Sequence, residues 1–327
     1  MDTSTHFAMG LGLGALAHLS PSVQQHPELA TAIILSTVIG SNAPDFDYIF
    51  RLKSNGDYIR QHRGLSHSLF ALPLWSLVIS IFLFISFPSV PFFPIFFWTF
   101  VAVSLHVAFD VMNFYGTQVM RPFSKEWLSQ NFIPLFDPVI FLLLLSGFFA
   151  FLIGARLGFS FLFAWVGIAL HCIVRYILKR HYHSYLKDKN PFSTSITLMP
   201  TCYFLKWNFI IEEKDQFVLG TMHKKKKKLF VKLDKEDLSN PYIEKSKTDL
   251  NVQHFLASTQ FAYPIVDESK KLVEWIDLRY RKFEQFPFKV KVYFDENDVV
   301  ISSTIGYHQV KNRDKKYLPI KIPNEIK

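Results

Sequence analysis

The sequence predicts an α-helical polytopic membrane bundle followed by a β-rich α+β cytoplasmic domain, and three observations carry the expectation. Phe, Leu and Ile crowd into the stretch before residue 180 of a 327-residue chain that holds 35 Phe in all, a density that suits lipid rather than water. Charge is segregated, because residues 186–327 carry 26 basic and 19 acidic side chains and so +7 of the formal net charge of +9. From about Ser184 the apolar runs shorten and become aromatic and β-branched between polar turns, which is a hairpin pattern. The shift divides the chain into a membrane-embedded domain, residues 1–183, and a soluble domain, residues 184–327.

Taken in order, the runs Thr5–Leu19 and Glu28–Gly40 are each about 20 Å long as helices and are expected to form a short hairpin packed on the bundle. Gly10, Gly12, Gly14 and Ala15 would let the first of them approach a neighbour closely. Four longer runs, Ser68–Phe87, Phe92–Val111, Pro138–Ala155 and Phe159–Ile177, are long enough to cross a bilayer. Arg51, Lys53, Arg60 and Arg63 precede the first span, whereas the turn Pro88–Pro91 carries no charge. Arg121 and Lys125 mark the next return, and Lys179, Arg180 and Lys187 follow the last span. The excess of Lys and Arg on one side places that side, and the C-terminal domain, in the cytoplasm.

In the soluble part, Cys202–Ile211 with Gln216–Met222, and Lys289–Phe294 with Val299–Ile305 around Asp295–Asp298, read as hairpins. Leu250–Ser258 and Ser269–Phe283 read as helices. The run Lys224–Lys228 is expected as an exposed loop, with a lipid-headgroup patch as the alternative. Cys172 and Cys202 are the two cysteines and are read as packing residues, since neither a disulfide framework nor a CxxC metal site is indicated. The first basic residue is Arg51, so a cleavable signal peptide is not expected.

Chemistry-bearing residues fall in three clusters. His106 and Asp110 are four apart on the second span and share one helix face, where they could chelate one ion or simply hydrogen-bond to each other; polar groups there are costly unless paired. His62-Arg63-Gly64-Leu65-Ser66-His67-Ser68 sets two histidines around a glycine able to take turn geometry. Arg63 there could clamp a phosphate oxygen or act as a basic anchor, and Ser66 could cap a helix. Asn42-Ala43-Pro44-Asp45-Phe46-Asp47 offers two carboxylates for a divalent ion or for general-base work, although such a string is often only a turn. With alternating spans, His6, Asp45, Asp47, His62, His67, His106 and Asp110 all reach the cytoplasmic side.

The order Thr5-His6, Pro44-Asp45-Phe46-Asp47, His62 to Ser68 and His106-x-x-x-Asp110, continued by Arg121-Pro122-Phe123-Ser124, resembles the YdjM family of inner-membrane-associated metal-dependent hydrolases. The resemblance covers about the first 180 residues, and the whole chain resembles the YfhP-like members. The family is in turn similar to zinc-dependent phospholipase C and related zinc nucleases. That likeness implies a ligand set of His6, one of Asp45 and Asp47, His62 or His67, His106 and Asp110. Those enzymes add a His-x-x-x-Glu helix, whereas here His171 is followed at the fourth place by Arg175, which argues against a full trinuclear site. Asp137 and His171 are further candidates, though Asp137-Pro138 also suits a helix N-terminus.

The function expected is membrane-bound hydrolysis of a phosphoester, such as a phospholipid or lipid-linked phosphate, with one or two divalent ions, zinc by donor type. Asp45 or Asp47 would accept a proton from the attacking water, and Arg63 would steady the developing charge. The alternative is a membrane-tethered regulatory protein whose basic C-terminal domain contacts anionic lipid, nucleic acid or another protein. No helix-turn-helix, zinc-finger or RNP signature supports sequence-specific nucleic-acid reading.

Overall fold

The computed structural model describes residues 1–235, 240–281 and 285–308. Two compact units emerge: Met1–Asp47, Arg63–His181 and Pro200–Phe204 form one, and Tyr48–His62, Tyr182–Met199 and Leu205–Lys327 the other.

The first unit is helical. Helix α1 (Thr3–Leu16) starts at Asp2, whose carboxylate accepts from Thr5 N at 3.0 Å and from Thr5 Oγ1; this satisfies a donor the helix itself cannot. A five-residue helix α2 (Pro21–Gln25) leads into α3 (Pro27–Gly40), which packs against α1. The close approach needs glycine: a Cβ at Gly10 would lie 2.8 Å from Thr37 O and Val38 Cα, and one at Gly14 would lie 2.8 Å from Ile34 Cα. Neither clash is with a flexible side-chain end, so the helices must part. A Gly14→Val substitution is therefore expected to cost about 1–3 kcal/mol, read as a lower unfolding temperature in detergent. The N-terminal helical hairpin expected from composition is thus present.

Helices α5 (Ala71–Ser86) and α6 (Phe92–Met112) pack against each other and against α3. The four expected spans are not all present at full length. Among the described residues two helices, α6 and α8 (Leu157–Lys189), are long and apolar enough to cross a bilayer. A third span exists only if α5 is joined across an 80° bend to the preceding segment Asn55–His67. Helix α7 (Pro138–Leu152) has 15 residues, about 22 Å, short of a hydrocarbon core of about 30 Å. Local chemistry explains the shortening. Asp137 starts α7 by accepting from Val139 N and Ile140 N, with Pro138 at the first helical position, and Gly154 at φ 97° follows its end. At α5 a 3₁₀ turn over Leu65–His67 is followed by Ser68 in extended conformation, which delays the helix to Ala71.

In the second unit, α4 (Asn55–Gln61) begins at Ser54, which accepts from Asp57 N at 2.9 Å. Strands β1 (Ser195–Pro200), β2 (Lys206–Glu212), β3 (Gln216–His223) and β4 (Lys226–Asp234) form one antiparallel sheet in chain order. After α9 (Pro241–Ser246) and α10 (Leu250–Ser258), strands β5 (Ala262–Asp267), β6 (Leu272–Asp277), β7 (Phe288–Phe294) and β8 (Val300–Tyr307) form a second. Val252, Phe255, Val273, Trp275, Val290 and Val292 are the core under its helices, and Trp275 Nε1 donates to Ser246 Oγ at 2.9 Å.

Both expected hairpins and the helix Leu250–Ser258 are found. The helix expected over Ser269–Phe283 is instead strand β6, preceded by a 3₁₀ turn at Glu268–Lys270; Phe283 itself lies outside the described residues. Val273 and Trp275 alternate into the core with Leu272 and Glu274 turned outward, so a period of two wins over an uneven helical spacing. The expected loop Lys224–Lys228 is a two-residue turn running straight into β4. Both cysteines are free, and Cys202 is exposed rather than packed.

Candidate metal centre

The four groups of the tightest cluster, Asp45, His67, His106 and Asp110, belong to the first unit. His106 and Asp110 project from one face of α6, and both are fully buried. The turn at Leu65–His67 brings His67 to them, and the 3₁₀ segment Ala43–Leu52 brings Asp45. His67 Nε2 lies 3.2 Å from His106 Nε2, 3.4 Å from Asp110 Oδ2 and 3.5 Å from Asp45 Oδ1. His106 Nε2 lies 3.6 Å from Asp110 Oδ2 and 3.7 Å from Asp45 Oδ1. Four donors about 2.1 Å from one tetrahedral ion stand roughly 3.4 Å apart. The donor set of Asp45, His67, His106 and Asp110 therefore has the dimensions of a single-cation site.

Hydrogen-bond partners decide which atoms can donate electrons. His106 Nδ1 is 2.6 Å from the Ser41 carbonyl oxygen, which only accepts, so Nδ1 carries the proton and Nε2 presents a lone pair. Ser66 Oγ donates to Asp47 Oδ2 at 2.7 Å. Its oxygen is then left to accept from His67 Nδ1 at 2.9 Å, which turns a second lone pair inward at His67 Nε2. Two lone pairs 3.2 Å apart repel unless a proton or a cation lies between them. Asp110 Oδ2 and Asp45 Oδ1 face the same space, buried and with no hydrogen-bond donor among the described residues. One proton cannot satisfy all four acceptors; a divalent cation can.

Electrostatics around the centre favour the anionic form of Asp45. Burial alone would raise Asp45, but the His106 and His67 imidazoles beside it outweigh that and hold its carboxyl well below the usual carboxylate range. Asp110 Oδ1 is already engaged by Arg63 Nη2 at 3.1 Å, Asn113 Nδ2 at 3.1 Å and the Met1 α-amino group, which leaves Oδ2 to face inward.

The remaining sequence candidates are placed as follows. His6 on α1 is buried, stacks on the His106 ring at 3.8 Å and stands 3.5 Å from Asp110 Oδ1, so it meets the other oxygen of that carboxylate rather than the four-donor set. Asp47 accepts from Arg63 N at 3.0 Å and from Ser66 Oγ, behind His67. Arg63, at φ 61°, binds Asp110, Asn113 Oδ1 and the Gly116 carbonyl. His62 belongs to the second unit, at the end of α4, where it stacks on Tyr58 at 4.8 Å. Asp137 and His171 are joined to each other at 3.0 Å, with Asp137 also the N-cap of α7. Arg175 is fully buried and donates to the carbonyls of Phe132, Thr201 and Phe204.

Three contributors were not assigned to this centre from the sequence. The Ser41 carbonyl is a backbone atom and any residue supplies one. Ser66, expected as a cap, instead links Asp47 to His67; its place between the two histidines was the available signal. Asn113 lies three residues after Asp110, at the C-terminal cap of α6, and that spacing could have flagged it.

Residues 1–182 match the family described as YdjM inner membrane protein, and residues 241–317 match the YfhP C-terminal alpha/beta plait domain. Over 314 residues the chain is 34% identical to the uncharacterized protein YfhP of Bacillus subtilis (strain 168), an alignment that covers 94% of this chain and 95% of that protein. No solved structure matches the chain. A family match over more than half the chain, together with the helices described above, makes this a membrane protein belonging to the YdjM inner membrane protein family.

Proposed function

We propose that the chain is a membrane-embedded, metal-dependent hydrolase of a phosphoester, with its metal held by Asp45, His67, His106 and Asp110. The observation that carries the reading is the pair of imidazole nitrogens facing each other at 3.2 Å, His106 turned by the Ser41 carbonyl, which only accepts, and His67 by Ser66, whose hydroxyl donates to Asp47. Two imidazoles with two carboxylates form a zinc-type donor set. A divalent ion held there supplies Lewis acidity toward a phosphoryl oxygen.

The protein's own side chains have separable parts. Asp45 is the most exposed of the four donors, at 23% of its side chain, and so is the group that could take a proton from water on the open side. Asp47 and Ser66 hold His67 in the required tautomer. Ser66→Ala is expected to weaken metal binding by about 10–100-fold, the usual cost of removing such a support, measured by competition with a chromogenic chelator. Arg63 orients Asp110. The phosphate-clamp role expected of it would require it to release one of the bonds it makes here.

An amphiphilic substrate fits the surroundings, because Phe46, next in sequence to Asp45, is exposed, as are Leu65, Phe70 and Phe123 in the same unit. The excess of Lys and Arg flanking one side of the apolar runs supports a cytoplasmic C-terminal domain and an inner-leaflet site. Elemental analysis of detergent-purified protein, with hydrolysis of a soluble phosphodiester and of phospholipid in mixed micelles, tests the reading. About one equivalent of divalent metal and chelator-sensitive release of product are expected. Metal-free protein that binds no added zinc or manganese would end it.

A further inference from the structure

The hairpin of β3 and β4 ends in lysine. His223 pairs with Lys226, so Lys224 and Lys225 alone make the turn, and both have positive φ, 47° and 67°. Such a turn normally takes Asn and Gly, because a side chain strains the left-handed backbone. Here two lysines occupy it, and Lys226, Lys227 and Lys228 extend the run into β4.

The neighbours add net charge of the same sign, Lys187 and Lys189 outnumbering Asp188 at the end of α8. Lys225 Nζ lies 5.7 Å above the Tyr185 ring and Lys227 Nζ lies 3.5 Å from Asn190 Oδ1, which sets the tip beside the end of α8 with its exposed Lys187 and Lys189. Burial and the nearby Lys189 push the Lys227 ammonium below its ordinary value. The acids of this sheet gather at the opposite end, where Asp234 pairs with Gln216 next to Glu212, Glu213 and Asp215, about 24 Å away along eight residues of strand. Strain and self-repulsion at one end make no contribution to folding that Asn-Gly would not make better.

Helix α8 indicates what lies opposite. Its apolar run, broken by the buried His171 and Arg175, ends at Ile177, and Tyr185 follows eight residues later in the same helix, about 12 Å along its axis. For a helix running along the bilayer normal with its apolar run in the hydrocarbon, that distance falls just beyond a headgroup layer and within a Debye length of about 8 Å of its surface. We propose that the β3–β4 tip and the end of α8 form a binding site for the phosphate headgroups of anionic membrane lipids. Lysine suits it, as a flexible point charge able to follow headgroups that are not fixed in register.

The test uses the full chain in dodecyl maltoside, titrated with mixed micelles containing phosphatidylglycerol or phosphatidylcholine and followed by thermal shift. Phosphatidylglycerol alone should stabilise the parent. Lys224→Asn with Lys225→Gly should leave the protein at least as stable in phosphatidylcholine, yet weaken apparent phosphatidylglycerol affinity about 30-fold, from ~1 kcal/mol for each lysine near an anionic surface. Lys226→Gln with Lys228→Gln, which leaves the turn intact, should do the same. Affinity within twofold of the parent in both variants, or no preference for phosphatidylglycerol, would overturn the proposal. So would a DNA duplex or RNA that binds in preference and displaces the lipid, an outcome pointing to nucleic acid.

Discussion

Protein purified with His106→Ala is expected to retain less than about a tenth of the parent's divalent metal, since losing a direct ligand should cost at least the 10–100-fold seen for supporting residues. Any chelator-sensitive hydrolysis should fall with it. The companion variant should be Asp110→Asn rather than Asp110→Ala. Asp110 is fully buried against Arg63 at 3.1 Å, and truncating it would leave a buried guanidinium unpaired, at a cost of about 3–5 kcal/mol, so loss of metal could not be told from loss of fold. Asparagine keeps the volume and an oxygen while removing the charge. Equal metal in parent and both variants, by elemental analysis of folded protein, would rule out this centre.

Arg175→Met should have the opposite profile: a large loss of stability with metal retained by whatever remains folded. The guanidinium donates to three carbonyls, Phe132 O at 3.1 Å, Phe204 O at 3.0 Å and Thr201 O at 3.2 Å. It thereby fastens the segment Pro200–Phe204 to the helical unit. Methionine fills much of the volume but satisfies none of the three, and charge-assisted bonds of this kind are worth about 1.5–3 kcal/mol each. A net loss of about 3–5 kcal/mol is expected after partial relaxation, read as a lowered unfolding temperature in detergent. Metal loss without destabilisation would instead place Arg175 in the centre. Four residues before it on α8, His171 pairs with Asp137 at 3.0 Å.

The parts of this fold that were legible beforehand were those with a local cause. Leu250–Ser258 is bounded by Asp249, which caps it, and the β7–β8 hairpin by the turn residues Asp295 to Asp298. The glycines of α1 announced a close helix contact. Ser269–Phe283 was misread because Leu272, Val273, Trp275 and Ile276 fit either period, and only pairing with β5 and β7 makes the extended form the one that buries Val273 and Trp275. Four spans were expected where two or three pass on length and composition, because apolar composition runs past the turns and caps that end α7 and delay α5.

The metal centre divides along the same line. From the sequence alone came the membrane class, the mixed C-terminal domain and the pairing of His106 with Asp110, because hydrophobicity and a 3.6-residue repeat are properties of neighbouring residues. Which of His62 and His67 joins that pair, which of Asp45 and Asp47 faces it, and which nitrogen of each ring points inward were decided only by the tertiary structure. Those choices depend on a carbonyl 65 residues before His106 and a hydroxyl 19 residues beyond Asp47, and a lone pair is directed by what lies across space from it rather than by what lies beside it in the chain.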